Sequence, residues 1–187
     1  MHRLAHAFVL LALALGVGGA CGASQAPDET QPAPVAAAPA EDISERAKRL
    51  AMENIIVDGH IDLPMRLHSM AKEGKERPDM GSRLEDGDFD AVRAKEGGLD
   101  APFMSIYVPA RLEMNGATKL ANELIDMVEG FVADAPDKFA LATSPAQVRE
   151  NFKKGLVSLP MGMENGAPLE GDLAKVEHFH ERGIRYI

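Results

Sequence analysis

The stretch that decides the fold of this chain is Ile55-Ile56-Val57-Asp58-Gly59-His60-Ile61-Asp62-Leu63-Pro64. Its run of β-branched residues predicts a strand. Alternate side chains of a strand share a face, so His60 and Asp62 are expected to point the same way from the end of that strand. An imidazole beside a carboxylate makes half of a divalent-metal site. The same pattern also fits a strand that simply runs into a polar loop.

Further strands and helices alternate along the chain. The strand that begins at Ile55 continues to Asp62, and the others are predicted over 101–108, 138–142, 156–163 and 184–187. Helices are predicted from Asp42, with Ile43, Ala47, Leu50 and Ala51 on one face, and over 89–95, 117–133, 144–154 and 169–182. The last of these helices is expected to turn Leu169, Leu173, Val176 and Phe179 inward, and 66–88 is expected to be a long polar loop.

These repeated units indicate an α/β fold with a parallel sheet and helical crossovers. A barrel and an open doubly wound sheet both satisfy the pattern. Neither a G-x-G-x-x-G segment nor a P-loop follows any predicted strand, which weakens a nucleotide-binding interpretation.

Composition narrows the functional classes. The 20 Lys and Arg residues are outnumbered by 29 Asp and Glu residues, and no basic cluster stands out. Nucleic acid is therefore not expected as a partner. Cys21 is the only cysteine, so no internal disulfide can form.

The N-terminus is typical of an exported protein. Residues 1–21 combine a basic start with an apolar run from Phe8 to Val17 that is too short to span a bilayer. Gly18-Gly19-Ala20-Cys21 resembles a bacterial lipoprotein signal, which predicts lipidation of Cys21 and a membrane-anchored location in the cell envelope, outside the cytoplasm. Secretion or a periplasmic location, with cleavage after Ala20 or Ala23, is the alternative. Residues 22–41, rich in Ala and Pro, predict a flexible linker, and 42–187 predict the folded domain.

Glu164 is a second candidate for a metal site. It closes the apolar stretch 156–163, and the carboxyl ends of parallel strands carry the chemistry of α/β folds. A carboxylate there could meet His60 and Asp62 across the sheet and bridge two metals. The alternative is a solvated loop carboxylate.

Four segments, in order, resemble the membrane dipeptidase family of renal-dipeptidase-like zinc peptidases, family M19. The segment 58–64 is similar to the family's D-G-H-N-D-L-P, with Ile61 in place of Asn. The segments 95–109, 161–166 and 182–187 are similar to G-G-v-x-x-Q-F-x-S-x-y-v-p, G-x-E-G-G and G-v-R-Y-x-T-L-T-H, with Asn165 in place of a Gly. The resemblance covers about residues 45 to 187.

The resemblance implies a (β/α)8 TIM-type barrel of the metal-dependent hydrolase kind, with a two-zinc site at the carboxyl ends of the strands. His60 and Asp62 would ligate one zinc, Glu164 would bridge both, and a metal-bound hydroxide would attack the peptide bond of a dipeptide. A homodimer of the longer form is compatible with the resemblance.

The matched segments correspond to about the first half of that barrel. The family's substrate-binding His, two further His ligands and a catalytic Asp would follow Ile187, so no catalytic residue is assigned within the chain and it is expected to be inactive alone. His68, His178 and His180 are not expected to substitute for them. An inactive fragment or binding remnant, and a related binuclear amidohydrolase with another substrate, are the alternative functions.

Overall fold

Parallel strands form the centre of residues 41–187, the part of the chain that this computed structural model describes. The strands are β1 (Ile56–Ile61), β2 (Leu99–Tyr107), β3 (Phe139–Leu141), β4 (Val157–Leu159) and β5 (Met161–Glu164). One sheet has the order β1-β2-β5, and β3 and β4 form a second sheet. Every strand pair is parallel, as the sequence predicts. The predicted signal segment with Cys21 and all of the linker after it except its last residue, Glu41, lie outside the described residues.

Helices connect these strands. They are α1 (Ile43–Glu53), α2 (Leu63–Lys72), α3 (Ala91–Gly97), α4 (Ala117–Asp134), α5 (Pro145–Lys153) and α6 (Ala174–Glu181). Two predicted helix starts are capped as their sequences indicate, because Asp42 accepts the amide of Ser44 and the Ser144 side chain accepts that of Gln147. Within residues 41–187, no helix has both the length and the apolar character needed to cross a membrane.

The core lies between β2 and the helices that cover it. Met104 and Ile106 of β2 are fully buried, as expected for a central parallel strand with both faces covered. From the other side, α4 buries a stripe that includes Leu124, Val128 and Phe131. Burial of β2 therefore holds the centre of the sheet in place. The side chains at the ends of its strands are held at defined positions as a result.

The structure corrects two sequence predictions near the site. The stretch predicted as a loop from residue 66 begins inside α2, which starts directly after β1 and buries Leu63 and Leu67. The single strand predicted over 156–163 is two strands in different sheets. Pro160 separates them, because it cannot donate to a ladder; its carbonyl accepts the amide of Met104 at 2.8 Å.

The ends of the described chain also differ from prediction. The helix predicted over 169–182 begins only at Ala174, and of its expected inward residues Phe179 is buried while Leu173 is 79% exposed. The strand predicted over 184–187 is reduced to one bridge between Ile184 and Met161. The predicted apolar face of α1 buries no residue, and Ile43 is 84% exposed. Helical periodicity correctly indicates which faces of α1 and α6 are apolar. Among the described residues, however, nothing covers these two faces fully.

A glutamate from another element caps the long helix α4. The Glu170 carboxylate accepts the backbone amide of Thr118 at 3.3 Å, the hydroxyl of Thr118 at 2.8 Å and the Nζ of Lys175 at 2.6 Å. Gly116 at the N-cap offers no side chain of its own. The bonds from Lys175 and Thr118 lower the pKa of Glu170 to about 2 from its usual 4.5.

Because the pKa of Glu170 is lower in the folded state, its contribution to stability is complete above pH 4.5 and is lost as the pH falls towards 2. We expect Glu170→Gln to lower the urea midpoint of unfolding at pH 7, and the difference from wild type to shrink between pH 4.5 and pH 2. Glu150→Gln, at an exposed carboxylate on α5, is the matched control. Equal midpoints for wild type and Glu170→Gln at pH 7 would contradict the capping role.

Candidate metal centre

The site lies where β1 and β5 end on either side of β2. Ile61 of β1 pairs with Met104 of β2, and Tyr107 of β2 pairs with Glu164 of β5. All three strands run in the same direction, so their carboxyl ends share one edge of the sheet. His60 lies in β1, Asp62 follows that strand as the N-cap residue of α2, and Glu164 is the last residue of β5.

The structure brings these three side chains together. His60 Nε2 lies 3.1 Å from Asp62 Oδ1 and 3.2 Å from Glu164 Oε2. One potential ligand atom from each residue lies within 4.8 Å of the other two. The His60 and Glu164 side chains are each 45% exposed, so the cluster is open to solvent. The carboxylates approach the imidazole from the start of α2 and from the end of β5, which concentrates negative charge around one nitrogen.

This donor set fits a divalent metal. A nitrogen and two carboxylate oxygens are ligands that zinc accepts in proteins, and these atoms are close enough for all three to reach one ion. Among the described residues, no other group of three His, Cys, Asp or Glu side chains meets the same spacing. His68, His178 and His180 are not part of this cluster.

Neighbouring polar groups orient Glu164. The Ser105 hydroxyl donates to Glu164 Oε2 at 3.3 Å. The next residue, Asn165, donates from its side chain to the carbonyl of Val108 at 2.6 Å and accepts the amide of Ala167 at 2.9 Å. Asn165 has a φ of 68°, a left-handed conformation that Gly adopts most easily and Asn tolerates better than most residues. This conformation accounts for the exchange of Gly and Asn between the family motif and this chain.

A cavity of about 370 Å³ adjoins the cluster, a size in the range of small-molecule sites. Its lining residues are Asp62, Met65, Arg66, Ser69, Tyr107 and Glu164. A larger cavity of about 510 Å³, lined mainly by apolar residues that include Val57 and Phe103, contains none of the three clustered residues. The smaller cavity is therefore the candidate substrate site.

Sequence reasoning missed Tyr186, which reaches the site from the far end of the chain. Its hydroxyl donates to the carbonyl of Gly59 at 2.9 Å, next to His60. Burial, followed by the negative charge of Glu164, raises the pKa of Tyr186 above its usual 10.0. The resemblance of 182–187 to a family motif was the only sequence signal near this residue, and it did not indicate a contact with β1.

The amino-acid sequence of this chain is similar to those of known dipeptidases. The family model described as membrane dipeptidase (peptidase family M19) matches residues 44–187. Mouse dipeptidase 3 is 28% identical over 145 residues, which are 78% of this chain and 28% of that protein. Dipeptidase ataJ of Aspergillus terreus is 26% identical over 149 residues, covering 75% of this chain and 36% of that protein. The chain thus spans about a third of the length of these curated relatives.

Solved structures of metallopeptidases are also similar to this chain. A crystal structure of dipeptidase AC, a metallo peptidase of family M19, matches with a TM-score of 0.60 and 26% identity, over 70% of this chain and 41% of that one. A metallo peptidase from Rhodobacter sphaeroides, liganded with a phosphinate mimic of the dipeptide L-Ala-D-Ala, matches with a TM-score of 0.58 and 25% identity, over 70% of this chain and 44% of that one. The described strands and helices therefore correspond to part of a TIM-barrel-like metallopeptidase fold.

Proposed function

Because the chain belongs to the membrane dipeptidase family, peptidase family M19, we propose that it serves the zinc-dependent hydrolysis of dipeptides. The observation that carries this proposal is the convergence of His60, Asp62 and Glu164 at one edge of the sheet. The family consists of metal-dependent peptidases, and these side chains are the described residues best placed to hold a metal.

In this proposal His60 and Asp62 would hold one zinc, and Glu164 would be shared between that zinc and a second. When bound, zinc supplies a Lewis acid that polarises the peptide carbonyl and acidifies water. Glu164 suits the bridging role because it has two carboxylate oxygens, of which Oε2 already faces His60 and Ser105. The second zinc needs ligands beyond the cluster found in residues 41–187.

The substrate would lie in the cavity beside the cluster. Asp62 and Glu164 line one part of it, and Arg66 and Ser69 of α2 line another. Residues four apart on a helix share a face, so Arg66 follows Asp62 at the same edge of the cavity. The cavity thus offers carboxylates for the metal and is lined by the cationic residue Arg66, whose guanidinium lies 3.9 Å from Asp86.

A phosphinate dipeptide mimic tests this function without requiring turnover. We expect the zinc-loaded chain to bind a phosphinate mimic of L-Ala-D-Ala in a calorimetric titration, because the phosphinate oxygens would contact the metal. The metal-free chain and the Glu164→Gln variant should bind it at least about ten-fold more weakly. Equal binding with and without zinc, or no binding to the zinc-loaded chain, would contradict the proposed function.

We also propose that the domain is held at the cell envelope, outside the cytoplasm, by a lipid on Cys21. The support is the basic start, the short apolar run and the small residues before the single cysteine. After expression in a bacterial host, mass spectrometry of the mature protein should detect diacylglycerol on Cys21. A mature N-terminus at Cys21 without lipid, or at Ser24, would favour secretion instead, and an intact Met1 would contradict both.

A further inference from the structure

We propose that Tyr186 is a positioning residue for the metal site, whose hydroxyl fixes the backbone from which His60 projects. This inference rests on the proposed metal-binding role of His60 and Glu164. Its geometric basis is the hydrogen bond of 2.9 Å from the Tyr186 hydroxyl to the carbonyl of Gly59. That carbonyl belongs to the peptide unit that joins Gly59 to His60.

The sheet itself holds this peptide only loosely. Asp58 pairs with Pro102 of β2 and Ile61 pairs with Met104, and the register of the two strands shifts between these pairs. Gly59 and His60 lie within this irregular part of β1. The amide of His60 donates to the side chain of Asp58 at 2.9 Å. A metal ligand placed at an irregular point of a strand needs other contacts to fix its direction, because the ladder does not supply them.

Tyr186 is itself held firmly against the neighbouring strand. Its carbonyl accepts the amide of Met163 at 2.9 Å, one residue before Glu164. Its ring lies over Gly162, where a Cβ atom would come within 1.9 Å of the ring Cζ. The Phe103 ring of β2 packs at 5.3 Å between centroids. Tyr186 therefore joins the strand that carries Glu164 to the strand that carries His60.

This arrangement separates a positioning role from a packing role. Tyr186→Phe keeps the ring and its contacts with Gly162 and Phe103 but removes the hydroxyl. The positioning role predicts that zinc affinity falls about ten-fold, the lower end of the effect of removing a group that orients a metal ligand. The midpoint of thermal unfolding should change little, because the ring stays in place. A packing role alone predicts no change in zinc affinity.

Ser158→Ala is the matched control. It also removes a hydroxyl that takes part in a hydrogen bond, here from Asn151 at 3.1 Å, but in the second sheet. We expect Ser158→Ala to lower the unfolding midpoint and leave zinc affinity within about two-fold of wild type. The comparison shows whether a loss of stability by itself weakens zinc binding.

The experiment is a calorimetric zinc titration of the purified wild-type chain, Tyr186→Phe and Ser158→Ala, with His60→Ala as the blank for zinc bound elsewhere. Cobalt(II) absorption spectra of the same proteins report the ligand set independently. Weaker zinc binding and an altered cobalt spectrum in Tyr186→Phe alone would support the positioning role. Wild-type affinity in Tyr186→Phe, or an equal loss in Ser158→Ala, would overturn it while leaving the metal site intact. A wild-type chain that binds zinc no better than His60→Ala would overturn the metal site and this inference together.

Discussion

Replacement of His60 by Ala is expected to weaken zinc binding by the purified chain at least about 100-fold, because loss of a direct ligand should exceed the 10- to 100-fold cost of losing a group that only orients one. His60 is the single nitrogen donor of the cluster and lies within 3.2 Å of both carboxylates. Asp62→Asn and Glu164→Gln should each have a similar effect, since an amide oxygen carries no charge to balance the cation. Calorimetric titration with zinc measures the change.

His178→Ala is the matched control for this prediction. His178 is also a partly exposed histidine, but its Nε2 lies 3.2 Å from Asn122 on the face between α6 and α4. We expect His178→Ala to bind zinc within about two-fold of wild type. Retention of wild-type affinity in His60→Ala, or an equal loss in His178→Ala, would show that the cluster is not the metal site.

A second prediction concerns the hydrolysis of dipeptides by the purified chain alone. We expect no appreciable release of free amino acids from a panel of dipeptides when the purified chain is supplied with zinc. The described residues provide one cluster of three candidate ligands, whereas a two-zinc site needs more.

The dipeptide assay includes Glu164→Gln as its control. Turnover by the wild-type chain that disappears in Glu164→Gln would show that these residues suffice for catalysis and that the ligand argument is wrong. Turnover that persists in Glu164→Gln would indicate a contaminating peptidase.

The part of the site that the sequence predicts is the edge of the sheet at which its residues lie. His60 and Asp62 close one apolar run and Glu164 closes another, and parallel strands deliver their carboxyl ends to one edge. The direction of the strands is therefore enough to expect the three side chains at one edge, whereas the irregular pairing around His60 and the start of α2 after Asp62 are not predicted. Family resemblance adds the metal and the reaction, neither of which spacing alone could identify.

The remaining features depend on tertiary contacts that local patterns do not encode. The division of 156–163 follows from which neighbour each half finds, because Leu159 pairs with β3 and Met161 with β2. The contact of Tyr186 with Gly59 joins residues 127 positions apart and requires a bare glycine at Gly162 under the ring. The start of α2 directly after Asp62 was obscured by the polar composition that follows it, although Pro64 in its first turn is a favourable helix signal.

Anomalous scattering at the zinc absorption edge tests the central claim most directly. Crystals of the chain grown with zinc should show an anomalous peak about 2.0–2.2 Å from a ring nitrogen of His60 and from carboxylate oxygens of Asp62 and Glu164. A zinc peak bound only by other side chains, such as His178 or His180, with none between His60 and Glu164, would contradict the account.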